Sequence, residues 1–211
     1  MVRDGFFVTG TDTNVGKTVL SALLIAGLDA IYWKPVQTGT NEGTDRETVM
    51  RLAGIPPSRT REESYRFEPP VSPHLAARWA GVRIDLGKIC RPEVEPGTRL
   101  VAEGAGGVMA PINETEMMID LMRHLELPVL VAARSTLGTI NHTLLTLAQL
   151  ERGGIEVGGV VMIGPENADN REAIERYGRR PVVGTIPWLE SIDREGLIEI
   201  FHARFDARVF Q

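Results

Sequence analysis

The 211-residue chain predicts an α/β fold, a mostly parallel sheet flanked by helices on both faces. Three observations lead there. Short apolar runs alternate with helical stretches along the whole chain. The first run passes through a glycine-containing loop directly into a helix. The unusual residues collect where the apolar runs end, which in an open parallel sheet is the ligand-binding edge.

The elements follow in order. The first strand is expected at 5–9, around Phe6-Phe7-Val8, and the first helix at 17–27. That helix reads as short, because Gly27 and Asp29 stop it. A strand at 30–34 ends in Lys34-Pro35-Val36-Gln37-Thr38-Gly39. The segment 39–73, rich in charge, Pro, Ser and Thr, is too long for a simple connection and reads as a functional excursion over the sheet edge. It carries a helix at 46–53 and leads to another at 73–80. A strand at 99–103 is built on Leu100-Val101-Ala102 and ends in Glu103-Gly104-Ala105-Gly106-Gly107. Helices follow at 117–125, 141–152, 171–177 and 194–203, with strands between them at 128–133, 158–163 and 182–186. There is no internal repeat, low-complexity tract or linker, so the expectation is one domain over 1–211.

Bulk properties narrow the function. Lys plus Arg number 23 against 28 Asp plus Glu, a net charge of −5, which argues against nucleic acid or an anionic membrane as partner. The single cysteine, Cys90, allows no internal disulfide and points to a reducing compartment, hence the cytoplasm. It reads as a packing residue or a surface thiol. Met1-Val2-Arg3-Asp4 leads directly into the first strand without a signal peptide, and no apolar run approaches the ~20 residues that span a bilayer.

The chemistry starts at Gly10-Thr11-Asp12-Thr13-Asn14-Val15-Gly16-Lys17-Thr18. Strand, glycine loop, Lys-Thr and helix form a phosphate-binding loop. Backbone N–H groups of Asp12 to Val19 and the helix dipole face an anion. Lys17 reaches the outer phosphates, and the Thr18 hydroxyl can ligate Mg²⁺. Thr11 stands where the usual first glycine would be, with Gly10 one step earlier. Glu103, at the end of its apolar run, occupies the place of the acidic residue near Mg²⁺, and the glycines behind it remove side chains, so backbone amides can approach a charged ligand. Lys34, at the end of an apolar strand, would stabilise charge on a transferring phosphoryl group. Asp45 alone is an ordinary loop or N-cap aspartate. Asn141 can cap the helix it opens, leaving free amides for a carboxylate. His142 reads as structural and His74 is ambiguous. His124 and His202 are scattered, and Met117 and Met118 read as core.

Together these motifs closely resemble the dethiobiotin synthetase family. The resemblance rests on the segment from Val8 to Thr18, on Lys34-Pro35-Val36 with Thr38-Gly39, and on Pro70-Val71-Ser72-Pro73-His74. It continues in Glu103-Gly104-Ala105-Gly106-Gly107, Leu137-Gly138 with Ile140-Asn141-His142, and Gly184 with Ile186-Pro187-Trp188-Leu189. It implies an ATP- and Mg²⁺-dependent ligase that joins CO₂ to 7,8-diaminopelargonic acid and closes a ureido ring through a carbamate and a carbamic–phosphoric anhydride. It implies Mg²⁺ on Thr18, Asp45 and Glu103, Lys17 and Lys34 on the phosphates and carbamate, Thr13 near the reacting groups, and Thr38, Gly106 and Gly107 beside the diamine. It further implies a homodimer in which Leu137, Gly138, Thr139, Ile140 and Asn141 of the second subunit hold the substrate carboxylate. Two features depart from the family. The first helix is short. Where the family often carries an Asn-Asp pair that reads adenine, this chain has Ile163-Gly164, so the base is expected between apolar and backbone surfaces near Ile163, Gly164, Pro187, Trp188 and Leu189.

Two rival readings are weaker. A ParA/MinD-like ATPase carries a lysine five residues before the loop lysine, and that position here is Asp12. Its membrane-binding, Lys-rich tail has no counterpart in 201–211. A cobyrinate amide synthase-like domain needs an attached glutaminase with a nucleophilic cysteine, which the length and the lone Cys90 do not provide.

Overall fold

The computed structural model describes residues 4–210, Glu42 by its backbone alone. The expectation for Met1 to Arg3 lies outside that range. In chain order the elements are β1 (Gly5–Gly10), α1 (Lys17–Leu28), β2 (Ile31–Trp33), β3 (Val36–Thr38), α2 (Asp45–Ala53), β4 (Thr60–Arg61), β5 (Tyr65–Phe67) and α3 (Pro73–Trp79). They continue with β6 (Leu100–Gly107), α4 (Met118–Leu125), β7 (Val129–Arg134), α5 (Thr139–Arg152), β8 (Val157–Ile163), α6 (Ala168–Gly178), β9 (Val182–Ile186) and α7 (Arg194–Arg204). Seven strands form one sheet in the order β4-β2-β6-β1-β7-β8-β9, and β3 pairs with β5 apart from it. Every one of these strand pairings is parallel.

Alternation along each strand splits the core into two layers. Phe6, Val8, Tyr32, Val101 and Leu130 face α1, α2 and α7. Phe7, Ile31, Trp33, Leu100, Ala102 and Val129 face α3, α4, α5 and α6. The central strand β1 is buried along its whole length, because β6 and β7 pair on its two sides and helices cover both faces. Its carboxyl end feeds the phosphate loop, so the loop sits at the middle of the sheet edge.

The six expected strands and seven helices are all present, with shifted ends. The excursion 39–73 holds more order than expected: it supplies β4, an edge strand of the main sheet, and β5. Two-residue and three-residue strands carry too short a pattern to stand out in sequence. β6 continues through the glycines after Glu103 to Gly107. The helix expected at 141 starts at Thr139, with Gly138 as its N-cap in the left-handed region (φ 94°), so Asn141 is not the cap.

The first helix is not short. It spans 12 residues and ends at Asp29, whose left-handed conformation (φ 49°) caps it. Gly27 lies inside it and is not a stop signal. A Cβ there would stand 2.4 Å from Cγ of Phe201 on α7. That ring packs against Phe205 and Phe210 at centroid distances of 5.5 and 5.4 Å. Glycine is therefore a close-packing residue between α1 and α7. Replacing a helical glycine by alanine ordinarily gains up to ~1 kcal/mol, while overfilling a packed core costs ~1–3 kcal/mol. The clash is the larger effect, so Gly27→Ala should destabilise by about 1 kcal/mol in denaturant titration. A more stable variant would show that the helices part freely.

Candidate active site

The sheet register assembles the site. Tyr32 pairs with Val101 across β2 and β6, so Lys34 and Glu103, each two residues further on, project beyond them at the same edge. The helix α1 presents Thr18 and Ser21 to that edge from one face, three residues apart. Asp45 arrives from α2, whose N-terminus is locked by a capping box: Glu47 N donates to Thr44 Oγ1 (3.1 Å) and Thr44 N to Glu47 Oε2 (2.7 Å). Thr44, not Asp45, is the cap; Asp45 is the first helical residue, and its N–H donates to Gln37 Oε1 at 3.2 Å.

These side chains converge. Thr18 Oγ1 donates to Asp45 Oδ1 at 2.7 Å and lies 3.1 Å from Glu103 Oε1. Lys34 Nζ stands 2.6 Å from Asp45 Oδ2 and 3.3 Å from Glu103 Oε1. Ser21 Oγ and Tyr32 OH donate to Glu103 Oε2 at 2.7 and 3.1 Å. Glu103 is 1% exposed and Lys34 5%, so neither charge could persist without these partners. Burial pulls the Lys34 ammonium down, but Glu103 and Asp45 outweigh it and hold the group above its ordinary value. Burial pushes the Asp45 carboxyl up, and Lys34 reverses this and holds it below its ordinary value. Burial, then the Glu103 charge, raises the Tyr32 hydroxyl well above its own. Tyr32 therefore stays a donor.

The phosphate loop lies alongside. Gly16 takes φ 98°, and a Cβ there would meet Ile163 Cδ1 at 2.8 Å, so only glycine lets the loop close over β8. Lys17 is 8% exposed, burial lowers its pKa, and its Nζ donates to Asp12 O at 2.9 Å. Lys17 and Lys34 stand against Asp45 and Glu103, with Asp12 a further acidic neighbour of Lys17 that Arg134 faces at 3.6 Å. The oxygen set of Thr18, Asp45 and Glu103 consists of hard donors drawn within hydrogen-bonding range of one hydroxyl. That is the donor chemistry and spacing Mg²⁺ takes beside phosphates.

Three cavities meet at this point. One of about 390 Å³ is the phosphate loop itself, lined by Thr13, Asn14, Gly16, Lys17, Thr18 and Val19 with Lys34, Thr38, Asp45, Glu103 and Gly106. One of about 1160 Å³ opens between Asp12 and Thr13, Thr38, Pro70 to Pro73, Gly106 to Pro111, and the α5 residues His142, Leu145, Thr146 and Gln149. An apolar slot of about 180 Å³ lies on the other side of the loop, between Val15, Val19, Ile163, Ile186, Pro187, Trp188, Leu189 and Ile192.

Most of the expected site residues are thus brought together. Gly164 flanks the slot without lining it; a Cβ there would meet Ser135 Oγ at 2.5 Å and Trp188 at 3.7 Å. Leu137, Gly138, Thr139, Ile140 and Asn141 do not line these cavities. Leu137 is fully exposed, while Thr139 turns inward toward Thr143. Cys90 is a surface thiol. His74 accepts or donates at 3.0 Å with Ser72. Sequence reading missed Ser21, Tyr32, Gln37 and Arg134. Arg134 edges the apolar slot and donates to Thr13 O at 3.2 Å, and its guanidinium lies 3.6 Å from Asp12. Ser21 was discoverable from helical spacing, since it lies one turn beyond Thr18. Tyr32 was discoverable from strand spacing, two before Lys34.

Parallel sheet, central phosphate loop and paired lysine and carboxylates define a P-loop NTPase-type protein. A ParA family ATPase from Chlorobium tepidum TLS matches the fold with a TM-score of 0.55 at 12% identity, over 89% of this chain and 85% of that one. A likeness at that identity concerns the fold alone. A family model described as an AAA domain matches residues 4–196. An ATP-dependent dethiobiotin synthetase from Paramagnetospirillum magneticum is 52% identical over 188 residues, 89% of this chain and 90% of that protein. One from Rhodopseudomonas palustris (strain HaA2) is 44% identical over 203 residues, 96% and 94% of the two. The chain belongs to the dethiobiotin synthetase family, whose members are ATP-dependent ligases.

The Lys34–Asp45 pair has a defined pH window. Asp45, held below its ordinary 3.8, contributes stability that is fully present above 3.8 and lost as pH falls through its lowered value. Lys34, held above 10.5, contributes stability that is fully present below 10.5 and lost as pH rises through its raised value. Lys34→Ala leaves two carboxylates facing each other. Breaking a fully buried pair costs ~3–5 kcal/mol, but Asp45 is 29% exposed and can hydrate, so about 2 kcal/mol is expected. Melts at pH 6 and pH 9 should show the same deficit. A deficit that disappears by pH 6 would mean that the pair is not charged there.

Proposed function

We propose that this chain is an ATP- and Mg²⁺-dependent dethiobiotin synthetase that carboxylates 7,8-diaminopelargonic acid with CO₂ and closes the ring. The reading is carried by one observation: Thr18, Lys17, Lys34, Asp45 and Glu103 converge on the phosphate cavity, and Asp45 also lines the larger cavity beside it. At about 1160 Å³ that cavity is ample for a small-molecule substrate, whose pockets span ~300–1,000 Å³. The identities to curated ATP-dependent dethiobiotin synthetases support the same reading.

The triphosphate lies along the loop amides with Lys17 on its outer phosphates. Thr18, Asp45 and Glu103 would hold Mg²⁺, which would neutralise charge on the phosphates. One amine of the diamine adds to CO₂ and loses a proton, giving a carbamate. Lys34 lines the phosphate cavity beside Asp45, which also lines the larger one, and stabilises the carbamate oxygen as it attacks the γ-phosphorus and ADP departs. Thr13 flanks the reacting groups and Thr38 the diamine. The second amine then attacks the carbonyl carbon of the anhydride, its proton is released, and the ring closes as phosphate leaves. Positioning and charge do most of this work, since phosphoryl transfer asks little covalent help of the protein.

The enzyme acts as a cytoplasmic homodimer in this proposal. Leu137 to Asn141 of the second subunit reach the substrate carboxylate, which accounts for their distance from the cavities of their own chain. The exposed Leu137 and Leu145 are the apolar surface such contact would cover. Among the described residues no helix is long and apolar enough to cross a membrane.

The deciding experiment is ATP turnover with and without diaminopelargonate and bicarbonate. Dependence on both supports the proposal, and diamine-independent hydrolysis favours a regulatory ATPase instead. Under these conditions Lys34→Ala should lower kcat at least a hundredfold, the typical loss when a charged stabiliser is removed. Asp45→Asn should raise the Mg²⁺ concentration needed for turnover. If Asp45→Asn and Glu103→Gln both keep the wild-type Mg²⁺ dependence, the ligand set is wrong.

The base occupies the apolar slot. Ile163, Ile186, Pro187 and Leu189 can pack a ring but read no edge. Paired polar groups discriminate strongly, and packing alone does not. ATP should work, with CTP and GTP substituting measurably. A preference for ATP over CTP above a thousandfold, roughly 4 kcal/mol, would reveal a polar reader.

A further inference from the structure

Glu103 presents one oxygen to the site and gives the other away. Oε1 faces Thr18 and Lys34. Oε2 accepts from Ser21 Oγ at 2.7 Å and from Tyr32 OH at 3.1 Å. Both donors are fully buried, and neither lines any of the three cavities described above. They come from two elements on the same side of the sheet, α1 and β2, and their hydroxyls meet at one carboxylate oxygen. Packing alone needs neither hydroxyl: alanine and phenylalanine would fill the same apolar layer, but would leave Glu103 Oε2 without these two donors.

We propose that Ser21 and Tyr32 are positioning residues that restrict Glu103 to one-oxygen ligation and so tune the site to Mg²⁺ over Ca²⁺. Ca²⁺ takes 6–8 oxygens at ~2.3–2.6 Å and readily uses a carboxylate through both of its oxygens. Mg²⁺ demands near-octahedral geometry at ~2.0–2.1 Å and is content with one. Two-oxygen ligation by Glu103 would require Oε2 to turn from two buried donors, leaving both unsatisfied. One-oxygen ligation disturbs neither. The two hydroxyls therefore leave the Mg²⁺ mode free and penalise the Ca²⁺ mode, while also holding Oε1 in place. This inference rests on the proposed Mg²⁺ site of Thr18, Asp45 and Glu103.

The test is binding, not turnover. The β,γ-imido analogue of ATP is titrated calorimetrically into the intact protein without divalent ions, then at increasing Mg²⁺ or Ca²⁺. The proteins are wild type, Tyr32→Phe, Ser21→Ala, the double variant and Glu103→Gln. Metal-free affinity should stay within about twofold in the hydroxyl variants, because they touch no part of the phosphate loop. Partners of metal-ligating residues typically set ~10–100-fold in metal affinity. The double variant should therefore need at least about tenfold more Mg²⁺ for half-maximal enhancement, while its Ca²⁺ curve moves less, lowering the Mg²⁺-to-Ca²⁺ preference. A double variant with the wild-type preference would overturn the inference, and so would a parallel loss of metal-free affinity, which marks a structural role. If the double variant does not fold, Tyr32→Phe alone, which keeps the ring, decides by the same criterion. Glu103→Gln separates the two ideas. If it leaves the Mg²⁺ curve unmoved, the proposed Mg²⁺ site itself fails. If it moves the curve and the hydroxyl variants do not, only the positioning role is lost.

Discussion

A carboxylate buried at the heart of a parallel sheet, Glu103, is the constraint that the rest of the site answers to. An unpaired carboxylate at that depth would cost several kcal/mol. The fold surrounds it with an ammonium from Lys34 and with hydroxyls from Thr18, Ser21 and Tyr32. Those donors come from α1 and from β2 and its carboxyl end. The placement of β6 between β2 and β1 is what lets both reach it.

The same cluster gives the site its electrostatic character. Lys34 stands between two carboxylates and Lys17 is held by a loop carbonyl. Lys17, Lys34 and Arg134 face Asp45, Glu103 and Asp12, so the protein alone imposes little net charge on this edge. A divalent cation beside the phosphates would tip the balance toward the anions of phosphoryl transfer. Because the partners are rigid elements, a capped helix and buried strands, the charges are preorganised rather than gathered at the moment of reaction.

The fold and the function separate cleanly in this chain. A ParA family ATPase shares the architecture at 12% identity, and architecture alone would not distinguish a switch from a ligase. The distinction lies in particular residues. Asp12 takes the loop position where a ParA-like protein carries a lysine. Lys34 and Glu103 line the phosphate cavity, and Asp45, which pairs with Lys34, also lines the larger cavity beside it.

By itself the sequence determined the α/β class, the order of the long elements and the phosphate loop. Each is written in local spacing: apolar runs, a glycine loop and Lys17-Thr18 at a helix start. It also pointed to Lys34 and Glu103, because a charge at the end of an apolar strand stands out. Short or distant features were not legible. β4 and β5 are too brief to leave a pattern, and their pairing depends on neighbours far along the chain. Gly27 reads as a helix stop until Phe201 is seen against it. Asn141 reads as a cap until Gly138 takes the left-handed turn before it. Ser21 and Tyr32 carry a spacing cue, one turn after Thr18 and two residues before Lys34, but nothing in sequence says that a carboxylate from β6 will lie between them. Only the tertiary structure decided that, since hydrogen bonds across a sheet depend on strand order and register, and neither is encoded in the spacing of any single element.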